Sequence, residues 1–345
     1  MSGRIILGFW NGLFALSFGL GLGFAAGPVS AAPAFVIDAG DGSVLYAEDP
    51  DVSWYPASLT KLMTAYVVFE LLKKGDASPD SEFVISPHAN AQPKSRLGLG
   101  AGKRISIRDA LHALIILSAN DIAVALAEAV SGSEDEFVEE MNQTAIRLGM
   151  LHTQFANANG LPKDGQATTA RDMALLARAI IKQYPDWLPV FAKPIADVAG
   201  HEIRTHNTLL EHFDGADGMK TGFTCGAGYN IVASATRNGR KLVAVVLGER
   251  SKGERSTKAM KLLEAGFAQP SGLAIAKIAD PEPRDSANML ASLTYVPAEN
   301  LSMKRSINNC FPPAGPAPKL VAEIAERKPE ETPTDKKSAK KQARK

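Results

Sequence analysis

The chain predicts an α+β fold: an antiparallel sheet flanked by helices, with an all-helical subdomain beside it and a poorly ordered C-terminal tail. Three observations lead there. Strand patterning opens the body at residues 34–48, helical patterning fills the middle, and strand patterning returns at 218–249 before one closing helix. That order packs most simply as one sheet with helices against its faces. The 345 residues suffice for one large domain or two ordinary ones, and 45% apolar with 22% charged residues is an ordinary globular balance.

The N-terminus stands apart from that body. Arg4 is the only charge before Asp38, and an apolar run from Ile5 to Ala26 leads to small residues at Val29-Ser30-Ala31. Residues 1–31 therefore read as a secretory signal peptide. The run is also long enough to span a bilayer, so a retained anchor is the alternative. The small-residue site favours cleavage, and either reading puts the body outside the cytoplasm, in the periplasm or peripheral on the membrane.

Next, "AFVIDAGDGSVLYAE" (34–48) reads as two strands about an Asp41-Gly42 turn. Residues 58–74 read as a helix: Leu62, Ala65, Tyr66, Phe69 and Leu72 follow its period, and Lys73-Lys74-Gly75 supplies a basic last turn and a stop. Residues 107–130 are strongly apolar and helical. Ser133-Glu134-Asp135-Glu136 and Thr169 to Asp172 each open a further helix with a capping pattern. Gly149 and "NANGLPKDG" (157–165) are loop. "YNIVASATRNGRKLVAVVLGE" (229–249) is a hairpin about Asn238-Gly239, with 218–224 as its neighbouring strand and 254–268 as the closing helix.

Beyond Ala268 the pattern fades. Residues 269–311 read as a partly ordered extension, and 312–345 as a Pro-rich, basic, disordered tail. Lys336, Lys337, Lys340, Lys341, Arg344 and Lys345 concentrate positive charge there. Without residues 335–345 (those six cations and Asp335) and Arg4 the body carries about −5, which excludes a nucleic-acid footprint. The tail is a solvated segment, or one weakly attracted to an anionic membrane surface or wall polymer. The two cysteines, Cys225 and Cys310, are permitted to bridge in an oxidising compartment, and spacing leaves the bridge open. The six histidines form no metal-binding pattern, so neither a metal nor another cofactor is expected.

Chemistry enters at "PASLTKLMTA" (56–65). Ser58 and Lys61 stand three apart, on one helical face, where an amine can reach a hydroxyl. Spacing alone decides nothing, because Ser338 and Lys341 repeat it in the tail. Two further motifs change the weighing: Ser118-Ala119-Asn120 in the helical block, and Lys220-Thr221-Gly222 on the strand before the hairpin. Taken singly, a helix-start serine, a solvated lysine, a helix irregularity and a strand-edge charge are the plainer readings. Three motifs in this order, downstream of a signal segment, make coincidence the poorer account. A serine needs a base within hydrogen-bond reach, and a lysine serves as base only when burial or a neighbouring cation lowers its pKa. Lys220 is the obvious second cation. On this reading Lys61 rests neutral while Lys220 stays charged. Ser118 relays a proton to the leaving amine, Asn120 holds Lys61 and a substrate amide, and Gly222 lets an extended peptide approach the strand closely.

The order Ser-x-x-Lys, Ser-x-Asn, Lys-Thr-Gly resembles the penicillin-binding proteins and class A β-lactamases. From about Pro33 to Phe267 the chain is similar to the low-molecular-mass D-alanyl-D-alanine carboxypeptidases. "WYPASLTKLMTAY", "ALIILSANDIAVALAE", "TQFANANGLPKDGQATTARDMALLAR", "DGMKTGFT" and "AGYNIVASA" carry the likeness. It implies a β-lactamase/DD-peptidase-like catalytic domain over 32–268. It also implies Ser58 as acylated nucleophile, Lys61 as base and Ser118 with Asn120 as second element, the third being Lys220-Thr221-Gly222. The backbone N–H groups of Ser58 and Phe223 would form the oxyanion hole, and Thr221, Thr224 and Arg255 would bind a terminal carboxylate. The implied reaction is serine-type removal of the last D-alanine from peptidoglycan stem pentapeptides, with β-lactams as trapping inhibitors and consequences for cross-linking and cell shape. The larger members carry a second β-rich domain and an amphipathic anchor. The residues after Phe267 predict neither in full, and His206 stands where some members have arginine.

Three rival readings compete with this one. A class A β-lactamase needs a carboxylate to position its deacylating water. Residues 150–170 hold no glutamate, and Ala119 replaces that group's usual aspartate. A D,D-endopeptidase cutting cross-links shares every motif and stays open. A catalytically idle wall-binding protein is disfavoured by the intact motifs.

Overall fold

The computed structural model describes residues 32–271 and 276–278. The expected signal peptide, most of the 269–311 extension, the 312–345 tail, Cys310 and the Ser338–Lys341 pair lie outside them. Cys225 itself is disulfide-bonded. No helix among the described residues is long and apolar enough to cross a membrane.

The body opens on the expected hairpin, β1 (Ala34–Asp38) and β2 (Ser43–Glu48). Its turn is closed by Asp41, whose carboxylate accepts the Ser43 N–H at 2.9 Å. Helix α1 spans Thr60–Lys74, with Thr60 through Phe69 all buried and Gly75 as its left-handed stop. The predicted start at residue 58 is corrected here: Ala57–Leu59 form a separate 3-10 turn, so Ser58 precedes the α-helix.

Two short strands, β3 (Glu82–Val84) and β4 (Arg104–Ser106), then pair around α2 (Pro87–Asn90). The apolar stretch 107–130 is interrupted. Helix α3 (Ile107–His112) widens into a π-helical turn at Ala113–Leu117, the chain turns left-handed at Ser118 (φ 65°), and α4 (Asn120–Ser131) restarts. Both predicted caps are present. Ser133 Oγ accepts the Glu136 N–H at 3.2 Å to open α5 (Glu134–Arg147). Thr169 Oγ1 accepts the Asp172 N–H at 3.1 Å to open α6 (Ala170–Gln183). Short pieces follow: α7 (Leu188–Phe191), the hairpin of β5 (Ile195–Val198) and β6 (His201–Arg204), and α8 (Leu209–His212).

The chain closes on β7 (Ala216–Thr224), β8 (Gly228–Arg237), β9 (Arg240–Glu249), α9 (Lys252–Ala268) and the small β10 (Ala276–Lys277). The main sheet is antiparallel throughout, in the order β10-β2-β1-β9-β8-β7, so β7 is an edge. Strand alternation divides the core. Phe35, Ile37, Val232, Val243, Val245 and Leu247 face the helical block. Val36, Ile231, Ala233, Leu242 and Val246 face Ala259 and Leu263 of α9. A central strand with both faces covered reads as a continuous apolar run, which is why "KLVAVVLG" lacks alternation.

Candidate active site

Every residue from Trp54 to Phe69 is buried except Ser58, which is half-buried. The turn that presents it is fixed from three sides. Asn230 on β8 donates through Nδ2 to the carbonyls of Tyr55 (2.9 Å) and Pro56 (3.2 Å), while its Oδ1 accepts the Gly248 N–H at 2.8 Å. Gly222 on β7 lies so close that a Cβ there would meet Pro56 O at 3.0 Å and Ser58 N at 3.1 Å. The missing Cβ of Gly222 thus also admits the backbone of the nucleophile's own turn. On the third side stands Gly160 (φ +83°), where a Cβ would fall 1.9 Å from Ala57 O. Ala57 in turn holds a left-handed φ of 48°, a costly geometry for a residue with a side chain.

Lys61, one turn later, is 1% exposed. Its Nζ lies 3.1 Å from Ser58 Oγ, 2.7 Å from Asn120 Oδ1 and 2.5 Å from the carbonyl of Asn159. The Asn120 amide is oriented by its Nδ2, which donates to Pro93 O at 3.0 Å, so its oxygen faces Lys61. Two of the three partners are carbonyl oxygens, able only to accept. A neutral amine has two N–H groups for those carbonyls and one lone pair left, which points at the serine hydroxyl. Burial, then the positive charge of Lys220, push Lys61 well below the usual lysine range, with Asp121 opposing them.

Ser118 sits two residues before Asn120, at the left-handed corner between the π turn and α4, and is 6% exposed. Its hydroxyl makes no hydrogen bond among the described residues, so the contact with Lys61 belongs to Asn120.

On the facing strand Lys220 is 3% exposed and donates to Thr221 O at 3.0 Å. Burial and the neighbouring Arg255 push it down to about 7. Arg255 on α9 is 2% exposed, and its Nε has no partner among the described residues. Burial lowers it to about 10, against a weaker opposing effect of Tyr229. His206 is pushed down as well, first by burial and then by Lys220, Lys252 and Arg255. No carboxylate pairs with Lys220 or Arg255 among the described residues. Thr221 is 7% exposed at its edge. Thr224 Oγ1 accepts the Ala227 N–H at 3.1 Å, which ties it to the β7–β8 turn. Phe223 is exposed and stacks on Tyr229 with 4.2 Å between ring centres.

Sequence reasoning missed Asn159, Asn230 and Gly160. They act as a main-chain carbonyl acceptor, a side-chain clamp on backbone and a missing Cβ, and such roles leave no spacing signature.

Comparison with known proteins agrees with this geometry. The Peptidase S11 family model, described as D-alanyl-D-alanine carboxypeptidase, matches residues 24–251. Among curated proteins the chain is 35% identical over 245 residues to D-alanyl-D-alanine carboxypeptidase DacF of Bacillus subtilis, covering 68% of this chain and 62% of that protein. The chain thus spans about three-fifths of that relative's length. Among solved structures, D-alanyl-D-alanine carboxypeptidase DacD from Francisella tularensis superposes with a TM-score of 0.67 at 33% identity, over 69% of this chain and 70% of that one. Penicillin-binding protein D2 from Listeria monocytogenes, in its ampicillin-bound form, gives 0.61 at 34% identity, over 69% and 98%. Family match, fold and motif geometry coincide, and the chain belongs to the Peptidase S11 family of D-alanyl-D-alanine carboxypeptidases.

Proposed function

We propose that this protein is a serine-type D-Ala-D-Ala carboxypeptidase that trims peptidoglycan stem pentapeptides outside the cytoplasmic membrane and is trapped by β-lactams. The observation that carries the reading is the Lys61 environment: a buried amine with two carbonyl acceptors and a serine hydroxyl in reach. Ser58 Oγ attacks the carbonyl carbon between the two D-alanines while its proton passes to Lys61. The oxyanion forms against the N–H groups of Ser58 and Phe223. The C–N bond then breaks, the leaving D-alanine takes a proton delivered from Lys61 through Ser118, and water hydrolyses the Ser58 ester. Lys220 and Arg255, buried without a counter-ion, suit the free carboxylate of the last residue, with Thr221 and Thr224 beside them.

The test is incubation with fluorescent penicillin, then with a pentapeptide and a cross-linked dimer. Stable labelling lost in Ser58→Ala, with D-alanine released from the pentapeptide, is expected. Rapid turnover of penicillin, or a wild type that never labels, would overturn the reading. Preferential cleavage of the dimer would instead assign the endopeptidase activity.

A further inference from the structure

Immediately after Asn120 lies a carboxylate outside the three catalytic motifs. Asp121 is 1% exposed, yet it forms no salt bridge among the described residues. Its Oδ1 accepts the N–H groups of Leu97 (3.0 Å) and Ile122 (2.9 Å), and its Oδ2 accepts the Gly98 N–H at 2.8 Å. Leu97 and Gly98 end an irregular strap, residues 92–98, that crosses the active-site corner. The same strap supplies Pro93 O to Asn120 Nδ2 (3.0 Å) and Ser95 O to the Asn120 N–H (2.7 Å). Ser95 Oγ donates to Leu117 O at 3.0 Å, and Gln92 Oε1 accepts from Asn159 Nδ2 at 3.0 Å. Both carbonyl partners of Lys61 therefore hang from one stretch of chain without regular structure.

Charge adds a second link. The positive charge of Lys220 on β7 lowers the pKa of Lys61, and the negative charge of Asp121 on α4 raises it. The two act in opposite directions on the amine.

We infer that Asp121 is a positioning residue for the acylation site: it moors the strap that orients Asn120 and Asn159, and its buried charge balances Lys220 across Lys61. This rests on the proposed acyl-transfer function but adds a separate requirement to it. A purely structural carboxylate would affect stability alone, whereas a moored strap with a balancing charge makes two distinguishable demands on the reaction.

The experiment measures penicillin acylation rates against pH for wild type, Asp121→Asn, Asp121→Glu and Ser95→Ala, with thermal unfolding alongside. Asp121→Asn loses the anion, so Lys61 deprotonates more readily and the ascending limb moves to lower pH. It also presents an amide where an N–H needs an acceptor, so the plateau rate falls on the order of tenfold or more. Ser95→Ala loosens the strap without touching charge: its plateau falls and its limb stays in place. Asp121→Glu keeps the limb near wild type while losing plateau rate. An unmoved limb in Asp121→Asn, or a wild-type plateau in Ser95→Ala, overturns the inference. Should Asp121→Asn not fold, the Ser95→Ala plateau and the Asp121→Glu limb still decide it. A wild type that is never acylated would sink the proposed function instead.

Discussion

Replacing Gly160 by alanine tests the grip on the nucleophile most directly. At φ +83° an alanine carries left-handed strain of about 1 kcal/mol. Its Cβ would also lie 1.9 Å from Ala57 O. Ordinary carbon–oxygen contact needs roughly 3.3 Å, so one segment must retreat by about 1.4 Å. Retreat of Ala57 carries Ser58 with it, and retreat of Gly160 carries Asn159 O away from Lys61. Misplacement by about 1 Å costs on the order of a hundredfold in rate. Strain and overpacking together cost about 2–4 kcal/mol, or roughly 5–15 °C in Tm for a domain of this size. The assay pairs fluorescent-penicillin acylation with thermal unfolding and uses Gly75→Ala as control. Gly75 has the same left-handed geometry (φ +82°) but no atom within 4 Å of its Cβ position. It should lose about 1 kcal/mol and no acylation rate. Wild-type acylation in Gly160→Ala, or equal losses in the two variants, would refute the reasoning.

Arg255→Gln should separate stability from function. Removing a buried cation beside Lys220 leaves Tm unchanged or raised, while acylation by carboxylate-bearing substrates falls about 10–100-fold; a Tm loss without a rate loss would contradict this. Asn230→Ala strands the Gly248 N–H and the Tyr55 and Pro56 carbonyls, so chemical denaturation should show a loss of about 2–4 kcal/mol together with slowed acylation. Asp172, raised by burial from 3.8 to about 6, predicts a stability trend with pH. Its folded pKa lies above the unfolded one, so the native state holds the extra proton. Stability is full below pH 3.8 and falls by about 3 kcal/mol as pH rises through about 6. Asp172→Asn should abolish that slope, and an unchanged slope in denaturation midpoints between pH 4 and 6 would count against it.

The sequence announced elements wherever the signal was local. The caps at Ser133 and Thr169, the stop at Gly75 and the Asn238-Gly239 turn each announce themselves within four residues. The π turn before Ser118 did not, because Ala113–Leu117 is as apolar as the helices it joins. The β3/β4 and β5/β6 hairpins also escaped, since strands of three or four mixed residues carry no readable period. At the site, Ser58, Lys61, Asn120 and Lys220 were legible because chemistry demands their side chains. The lowered Lys220 was not, because its pKa depends on Arg255 reaching it from α9, a proximity that only folding creates.

The grip on the nucleophile's turn spans most of the domain. Asn230 reaches Tyr55 across 175 residues, and Trp54 Nε1 donates to Ala227 O across 173. Such contacts form only after the intervening chain has closed its loop. A nascent or truncated chain ending before β8 would carry Ser58, Lys61 and Asn120 yet lack Lys220's strand partner and the clamp. On the proposed function, reactivity toward penicillin would serve as a gauge of completed folding, because the clamp on the Ser58 turn closes only once the last hairpin has docked.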